Sequence, residues 1–353
     1  MTPTTTAWAA TDATSPLAPI EIPRRDVGAH DVRIDITYCG ICHSDLHTVR
    51  GDWKGTAYPC VPGHEIVGRV AEIGSDVTRH SVGDLVGVGC MIDSCGECAE
   101  CRDGLQNYCR KGSTMTYNSR DAHSTAPRTL GGYSGSIVVT EGFVVAIPEG
   151  MDAAAAAPIL CAGITMYSPL RHHGVGPGSK VGVAGFGGLG SVGVKLAKAL
   201  GAEVTVITRS DGKADDAIKA GADHVLVSTK RVELARAARS LDLVLSTVPS
   251  RHDLMPYLGL LKRDGAYVVL GALEPLTEPV HGGLLAGNRI SVTGSMIGGI
   301  PETQEVLDFC AEHGLSVDVQ VIGVDGINDA YDRLAAGDPD FRYVIDMSTL
   351  RSV

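Results

Sequence analysis

The sequence predicts an α/β protein with a mostly-β domain and a second domain built on a doubly wound parallel sheet. The chain has 353 residues, more than a single hydrophobic core usually organises. Short strand-like runs separated by glycine turns fill the first 150 residues. Beyond residue 180, apolar strands alternate with helical segments, which is the pattern of a parallel sheet with crossover helices.

Each element is predicted from its local pattern. The run at 31–38 (DVRIDITY) alternates apolar and polar residues, as a half-buried strand does. Similar strand-like runs are 65–74, 84–90, 134–140 and 143–148. The segment 152–170 is expected to form a helix with Asp152 as its N-cap. A strand, a glycine turn, a helix and a second strand follow over 180–208, then strands within 223–228, 241–248, 265–271 and 289–295, and a helix over 301–314.

Composition and charge exclude several classes of function. The chain carries 41 acidic against 30 basic residues, a formal charge of −11, and shows no basic stripe of the kind nucleic-acid binders use. No run of 18 apolar residues predicts a membrane span, and the N-terminus does not resemble a secretory signal. We therefore expect a cytoplasmic protein that acts on a small molecule.

Four of the ten cysteines form a compact cluster with the spacing C-x2-C-x2-C-x7-C. They are Cys95, Cys98, Cys101 and Cys109. Two-residue gaps let neighbouring sulfurs converge, so four thiolates can close a tetrahedron around Zn²⁺ and leave no position for substrate. The spacing predicts a structural zinc; disulfides and an iron–sulfur cluster are the alternatives, and a reducing compartment disfavours the disulfides.

A second metal site is suggested by donors that lie far apart in the chain. Cys42, His64, Glu65 and Cys161 together offer two thiolates, an imidazole and a carboxylate, a set that suits a catalytic zinc. Spacing alone does not select these four, because an isolated cysteine or histidine is more often a packed core residue. Cys39 and Cys42 also permit a redox C-x-x-C pair, although such a motif normally opens a helix in a different fold.

Five motifs occur in one order along the chain: GICHSDLH (40–47), PGHEIVG (62–68), the four-cysteine cluster, CAGIT (161–165) and the glycine loop after residue 184. In this order they resemble the zinc-dependent medium-chain alcohol dehydrogenases, in particular the cinnamyl-alcohol-dehydrogenase-like branch and its bacterial NADP-dependent members. The resemblance implies a GroES-like catalytic domain over 1–161 and 297–353, with a Rossmann NADP-binding domain over 162–296.

The resemblance also implies roles for the first two motifs. Cys42, His64 and Cys161 would hold the catalytic zinc, with Glu65 at the fourth position. Asp45 would orient the histidine ligand.

Proton handling and the substrate pocket are likewise implied by the resemblance. Ser44 would contact the substrate oxygen, and His47 would end a proton relay to solvent. The residues that would line the substrate pocket are Leu46, Trp53, Met115, Tyr117 and Met296.

The glycine loop predicts a dinucleotide site from its own spacing. Gly185, Gly187 and Gly190 form G-x-G-x-x-G between a strand and a helix, with Gly188 and Leu189 inside the motif. Glycines permit the tight turn and the close approach of a pyrophosphate to the helix N-terminus.

The end of the second strand favours NADP(H) over NAD(H). An NAD site usually carries an acidic residue there, whereas this chain has Thr208, Arg209 and Ser210, followed by Lys213. Two cations and two hydroxyls suit a 2′-phosphate; the alternative is that both cations are ordinary solvated loop charges. By resemblance, Arg342 would also reach the cofactor phosphates.

The predicted reaction is the NADP(H)-dependent interconversion of primary alcohols and aldehydes, aromatic or medium-chain, in a homodimer or a tetramer. One alternative is a reductase of C=C or iminium bonds on the same scaffold, which a substrate panel separates from carbonyl chemistry. Another is a non-catalytic NADPH-binding regulatory protein, which would bind NADPH without turnover.

Overall fold

A computed structural model describes residues 3–121, 123, 128–271, 274, 279–337 and 341–350. The chain separates into two compact units. The first unit comprises Met1–Cys161 and Gly299–Val353, and the second comprises Ala162–Gly298. The second unit is thus an insertion into the first, and it ends at 298 where the sequence predicts 296.

The strands are numbered in chain order. They are β1 Thr4–Ala9, β2 Ala18–Pro23, β3 Asp31–Gly40, β4 Ile66–Ile73, β5 Leu85–Val88, β6 Met91–Asp93, β7 Thr114–Met115, β8 Ser136–Thr140, β9 Val145–Ala146, β10 Lys180–Ala184, β11 Glu203–Thr208, β12 His224–Val227, β13 Leu241–Ser246, β14 Leu261–Val269, β15 Ser291–Gly294, β16 Val319–Gly323 and β17 Arg342–Asp346.

The helices are numbered in the same way. They are α1 His43–Val49, α2 Ala99–Arg102, α3 Ala153–Ala156, α4 Ala162–His172, α5 Gly188–Ala199, α6 Ala214–Lys219, α7 Arg231–Arg236, α8 Met255–Leu258, α9 Gly282–Asn288, α10 Ile300–Glu312 and α11 Ile327–Ala335.

The first unit is organised around the long strand β3. The sheet follows the order β16-β17-β3-β4-β5-β9, with β8 also paired to β3. All of these pairs are antiparallel except β16 with β17. The alternation predicted for 31–38 is present, since Val32, Ile34 and Ile36 are buried. Because β3 ends at Gly40, the chain leaves the centre of the sheet just before the predicted metal ligand Cys42.

The second unit is a six-stranded parallel sheet with the order β12-β11-β10-β13-β14-β15. This is the strand order of a Rossmann fold, in which the order reverses beside the first strand and places the ligand site at that point. Valines and leucines of the central strands are almost fully buried, as a parallel sheet covered on both faces requires. The predicted fold class, GroES-like plus Rossmann, is confirmed.

The segment 152–170 is not the single helix that its composition predicts. Asp152 caps α3, because its side chain accepts hydrogen bonds from the backbone N–H groups of Ala154 and Ala155. The chain then tightens into a 3₁₀ turn over Ala157–Leu160 that contains Pro158. Proline lacks an N–H and disfavours a helical residue before it, so the α-helix stops there. Cys161 takes a non-helical conformation (φ −128°, ψ −69°), and α4 begins after it.

Within the described part of the chain, no single helix is long and apolar enough to cross a membrane. The adjacent segments Ala153–Leu160 and Ala162–His172 pass the same test of length and composition only when they are taken together as a bent pair.

Candidate active site

The first predicted metal site collects donors from three separate segments of the first unit. Cys42 stands between β3 and α1, His64 and Glu65 precede β4, and Cys161 occupies the break after the 3₁₀ turn. The four donor atoms all lie within 4.8 Å of one another. The two thiol sulfurs are 4.0 Å apart, and His64 Nε2 lies 3.2 Å from the sulfur of Cys161.

These distances fit one tetrahedral zinc. With Zn–S bonds of about 2.3 Å, tetrahedral sulfurs are separated by about 3.8 Å, close to the spacing found here. The pKa of the Cys42 thiol is held well below its ordinary value, chiefly because it shares a hydrogen bond with Cys161. A thiolate is the form in which cysteine binds a metal.

Glu65 supplies the fourth donor and is completely buried. Its Oε1 is bound by the Arg342 guanidinium, whereas Oε2 is buried and lacks a hydrogen-bond partner among the described residues. A buried carboxylate oxygen without a donor is the atom that a cation would satisfy. Gly40 leaves it room, because a Cβ there would come within 2.0 Å of Oε2. Burial raises the pKa of Glu65 to about 7, against the opposing charge of Arg342.

The structure gives Arg342 a partner within the first unit. It is buried on β17 beside Glu65, because a carboxylate fully removed from water needs a cation next to it. A contact between Arg342 and the cofactor phosphates stays a prediction.

Asp45 lies on α1, is fully buried and contacts two of the donor residues. Its Oδ1 is 3.0 Å from His64 Nδ1, which leaves Nε2 of that ring for the metal. Its Oδ2 accepts the backbone N–H of Cys42 at 2.9 Å.

The two residues of α1 that are predicted to handle the substrate proton lie one helical turn apart. Ser44 and His47 share a helix face, as positions i and i+3 do. His47 Nδ1 is 2.7 Å from the Asp52 carboxylate, and its ring stacks on Trp53 with centroids 5.7 Å apart. The His47 side chain keeps 26% of its surface exposed, so it can exchange a proton with water.

The residues predicted to line the substrate pocket fall in different environments. Tyr117 is buried with its ring 5.6 Å from that of His64, and Leu46 is buried on α1. Met115 is half-buried on β7. Met296 belongs to the second unit and is 48% exposed.

The four-cysteine cluster forms a separate lobe of the first unit. Cys101 Sγ lies 3.9 Å from Cys95 Sγ and 3.4 Å from Cys98 Sγ, and Cys109 accepts the N–H of Cys95 at 3.5 Å. All four sulfurs lie within 4.8 Å of one another, which fits a closed four-thiolate zinc site. None of the ten cysteines, all of which fall in described parts of the chain, is in a disulfide.

The lobe that carries the four cysteines also contacts the start of the segment 299–353, where the first unit resumes after the insertion. Gln106 accepts the N–H of Ile300 at 3.0 Å, at the first turn of α10. Gly104 and Gly299 meet so closely that a Cβ on Gly299 would lie 1.6 Å from the Gly104 carbonyl oxygen. The cluster thereby ties the second segment of the first unit to the first segment.

The glycine loop of the second unit has the geometry that a dinucleotide needs. Gly185 follows β10 with φ +91°, a conformation that favours glycine. A Cβ at Gly190 would lie 2.2 Å from the Gly185 carbonyl oxygen, so the start of α5 can pack there only without a side chain. At Gly187 a Cβ would meet no described atom within 4 Å. Gly187, the residue before α5, therefore has open space beside it, which fits a pyrophosphate bound at the helix N-terminus.

The predicted 2′-phosphate residues lie at the end of β11 and just after it. The Thr208 hydroxyl donates to the Ser210 carbonyl at 2.7 Å and shapes the turn, while Arg209 and Ser210 are exposed. Lys213 is half-buried at the end of the following 3₁₀ turn. Asp211 is the acidic residue nearest to the strand end where NAD sites usually carry a carboxylate. Its carboxylate lies 2.8 Å from Lys230 Nζ.

Sequence reasoning missed several contacts around the site. Asp52 is the partner of His47, and Lys230 pairs with Asp211. The Tyr133 hydroxyl lies 3.3 Å from Asp45. Lys230 and Tyr133 come from distant segments of the chain, whereas Asp52 lies five positions after His47 and could have been found from that short spacing.

The two units, with both donor sets in the first, define a dehydrogenase with two zinc positions per chain. A family model described as the alcohol dehydrogenase GroES-like domain matches residues 28–149, and one described as the zinc-binding dehydrogenase matches residues 188–312.

Similar proteins cover the whole chain. NADP-dependent alcohol dehydrogenase C 1 of Mycolicibacterium smegmatis is 54% identical over 99% of both chains. Aldehyde reductase YahK of Escherichia coli is 53% identical over 98% of both. The structure of a cinnamyl alcohol dehydrogenase from Sorghum bicolor matches with a TM-score of 0.95 and 42% identity, covering 99% of each chain. The chain belongs to the zinc-dependent alcohol dehydrogenases, in the cinnamyl-alcohol-dehydrogenase-like branch, and is an oxidoreductase.

Proposed function

We propose that this protein interconverts aromatic or medium-chain primary alcohols and aldehydes with NADP(H). The observation that carries the proposal is the convergence of Cys42, His64 and Cys161 with the unpartnered Glu65 oxygen. The family of the chain and the names of its relatives support the same reaction.

The protein groups have separate tasks in this reaction. When bound, zinc supplies Lewis-acid polarisation of the substrate oxygen, and NADP(H) supplies or accepts the hydride. Ser44 offers a hydroxyl for the substrate proton, and His47 exchanges that proton with solvent. Asp52 holds the ring of His47, and Asp45 holds that of His64.

The test is a spectrophotometric assay at 340 nm. Purified protein meets cinnamaldehyde, benzaldehyde and hexanal, each with NADPH and then with NADH. Rapid loss of NADPH is the expected result. Turnover of conjugated C=C or iminium substrates without any turnover of saturated aldehydes would favour the reductase alternative. NADPH binding without turnover on any substrate would favour a regulatory protein.

The cofactor preference can be tested separately at Arg209. Replacing Arg209 by alanine removes an exposed cation from the proposed 2′-phosphate site, and charge-assisted hydrogen bonds to phosphate contribute about 1.5–3 kcal/mol. We expect KM for NADPH to rise about 10-fold or more, with KM for NADH little changed. Lys219→Ala is the control, since this exposed lysine pairs with Asp216 on α6. An equal rise for both cofactors would reject the assignment.

A homodimer is proposed from the edge of the Rossmann sheet. Strand β15 pairs with β14 alone among the described strands, and all four of its residues are exposed. An exposed edge offers free N–H and C=O groups, and a second copy can pair with it about a twofold axis.

Light scattering tests the dimer. The wild-type protein is expected at twice the mass of one chain, and Val292→Lys, which sets two like charges at this edge, is expected to shift it toward one chain. A mass of four chains would indicate a tetramer, and an unchanged mass in the variant would place the interface elsewhere. A cytoplasmic location is proposed because none of the ten cysteines is in a disulfide, which is typical of a reducing compartment.

A further inference from the structure

We propose that Tyr133 and Tyr331 are positioning residues that act on the first metal site through Asp45. Their hydroxyls form a buried hydrogen-bonded chain that ends at the Asp45 carboxylate. That carboxylate in turn contacts the backbone N–H of Cys42 and the imidazole of His64. This role rests on one part of the proposed function, namely that the group containing Cys42 and His64 binds zinc.

The Asp45 carboxylate is surrounded by four donors. Its Oδ1 is 3.1 Å from the N–H of Gly63 and 3.0 Å from His64 Nδ1. Its Oδ2 is 2.9 Å from the N–H of Cys42 and 3.3 Å from the Tyr133 hydroxyl. An ionised carboxylate has about four acceptor positions, so this one is filled. Its orientation is fixed from both sides, and the imidazole that it holds is fixed with it.

The direction of the hydroxyl chain follows from the chemistry of its end. An ionised carboxylate only accepts, so Tyr133 must donate to Asp45. The Tyr331 hydroxyl, 3.4 Å away, then donates to the oxygen of Tyr133. Tyr133 is fully buried and Tyr331 is 5% exposed. Burial raises the pKa of both phenols, so both keep the protons that the chain needs.

The backbone around Tyr133 is bound to the segment that carries His64. Residues 131–133 donate three N–H groups to the carbonyls of 61–63, at 2.8–3.0 Å. Arg24 holds the preceding turn by donating to the carbonyls of Leu130 and Gly131. The Tyr133 hydroxyl is therefore placed relative to the metal ligand by a rigid connection, not by a mobile side chain alone.

Removing the Tyr133 hydroxyl would leave Oδ2 with a single donor, the N–H of Cys42. The carboxylate could then turn about the contact to Cys42, and the imidazole of His64 would lose part of its orientation. Partners that orient metal ligands commonly change metal affinity about 10- to 100-fold, and a residue one step further out should have the smaller of these effects.

The experiment compares three Tyr→Phe variants. Tyr133→Phe and Tyr331→Phe each remove one hydroxyl of the chain. Tyr343→Phe is the matched control, because its hydroxyl is also buried in the first unit but has no hydrogen-bond partner in the described structure. Zinc release from purified protein to the chelating dye 4-(2-pyridylazo)resorcinol is followed in time, and the four-cysteine site serves as an internal reference. A second readout is the visible spectrum after Co²⁺ is exchanged into the first site.

Tyr133→Phe is expected to speed zinc release from the first site about 10-fold, to leave the four-cysteine site unchanged and to alter the Co²⁺ spectrum. Tyr331→Phe should do the same more weakly, by about 2- to 3-fold. Tyr343→Phe should match the wild type.

The proposal is overturned if Tyr133→Phe behaves like Tyr343→Phe, or if zinc leaves both sites faster by the same factor, since that indicates general loosening. Should Tyr133→Phe fail to fold, Tyr331→Phe decides by the same readouts. Absence of carbonyl reduction by the wild type would reject the proposed function and leave the zinc-release comparison valid. Wild-type protein without zinc at the first site would overturn both.

Discussion

Replacing Cys161 by alanine is expected to lower kcat/KM for aldehyde reduction by at least about 10³-fold, because a bound Lewis acid supplies several kcal/mol of transition-state stabilisation. The variant removes one of the two thiolates of the first site and leaves His64, Cys42 and Glu65 without a closed donor set. Zinc content should fall from two ions per chain to one, since the four-cysteine lobe is a separate group.

The control for this variant is Cys310→Ala. Cys310 is 4% exposed on α10 and belongs to neither donor group, so its loss costs packing alone. It should keep two zinc ions and nearly full activity. The measurement is metal content by mass spectrometry beside kcat/KM with NADPH and cinnamaldehyde. Unchanged activity of Cys161→Ala with two zinc ions bound would remove Cys161 from the site.

Replacing Arg342 by methionine is expected to destabilise the metal-free protein by up to about 3–5 kcal/mol at a pH above the Glu65 pKa of about 7, where the variant would keep a buried charge without its partner. Glu65 is fully buried, and the Arg342 side chain keeps only 8% of its surface exposed. Zinc at the neighbouring site would place a cation near the same carboxylate, so the loss should be smaller in the zinc-loaded protein. Urea unfolding with and without chelator measures both values.

The matched control is Arg50→Met. Arg50 pairs with Asp332 at 3.4 Å, but the two side chains are 42% and 80% exposed. An exposed pair of this kind contributes about 0–1 kcal/mol. The double variant Arg342→Met with Glu65→Gln should recover much of the loss, because the unpaired charge is gone. Equal losses of unfolding free energy in Arg342→Met and Arg50→Met would show that the buried pair contributes no more to stability than the exposed pair.

The same variant separates two roles of Arg342. A contact with the cofactor phosphates predicts that Arg342→Met raises KM for NADPH and NADH alike. A purely internal role, balancing Glu65, predicts lower stability with both KM values kept.

Features that depend on neighbouring residues could be predicted from the sequence. The four cysteines at 95–109 lie within fifteen positions, so short turns bring them together wherever the lobe sits. The glycine loop follows a strand and opens a helix, and this local order sets its geometry. The alternation of strands and helices after residue 180 likewise predicts the parallel sheet, because right-handed crossovers leave few other arrangements.

The tertiary structure alone decided what depends on distant segments. Cys42, His64 and Cys161 meet because β3 ends, β4 begins and a proline-containing turn interrupts a helix at the same place. The alanines at 153–157 favour a continuous helix, and Pro158 is the one local signal of the break. The direct contacts of the Arg342 and Glu65 pair and of the Tyr331, Tyr133 and Asp45 chain join residues up to 277 positions apart. Burial creates these contacts, since a polar group removed from water must find a partner wherever the fold supplies one.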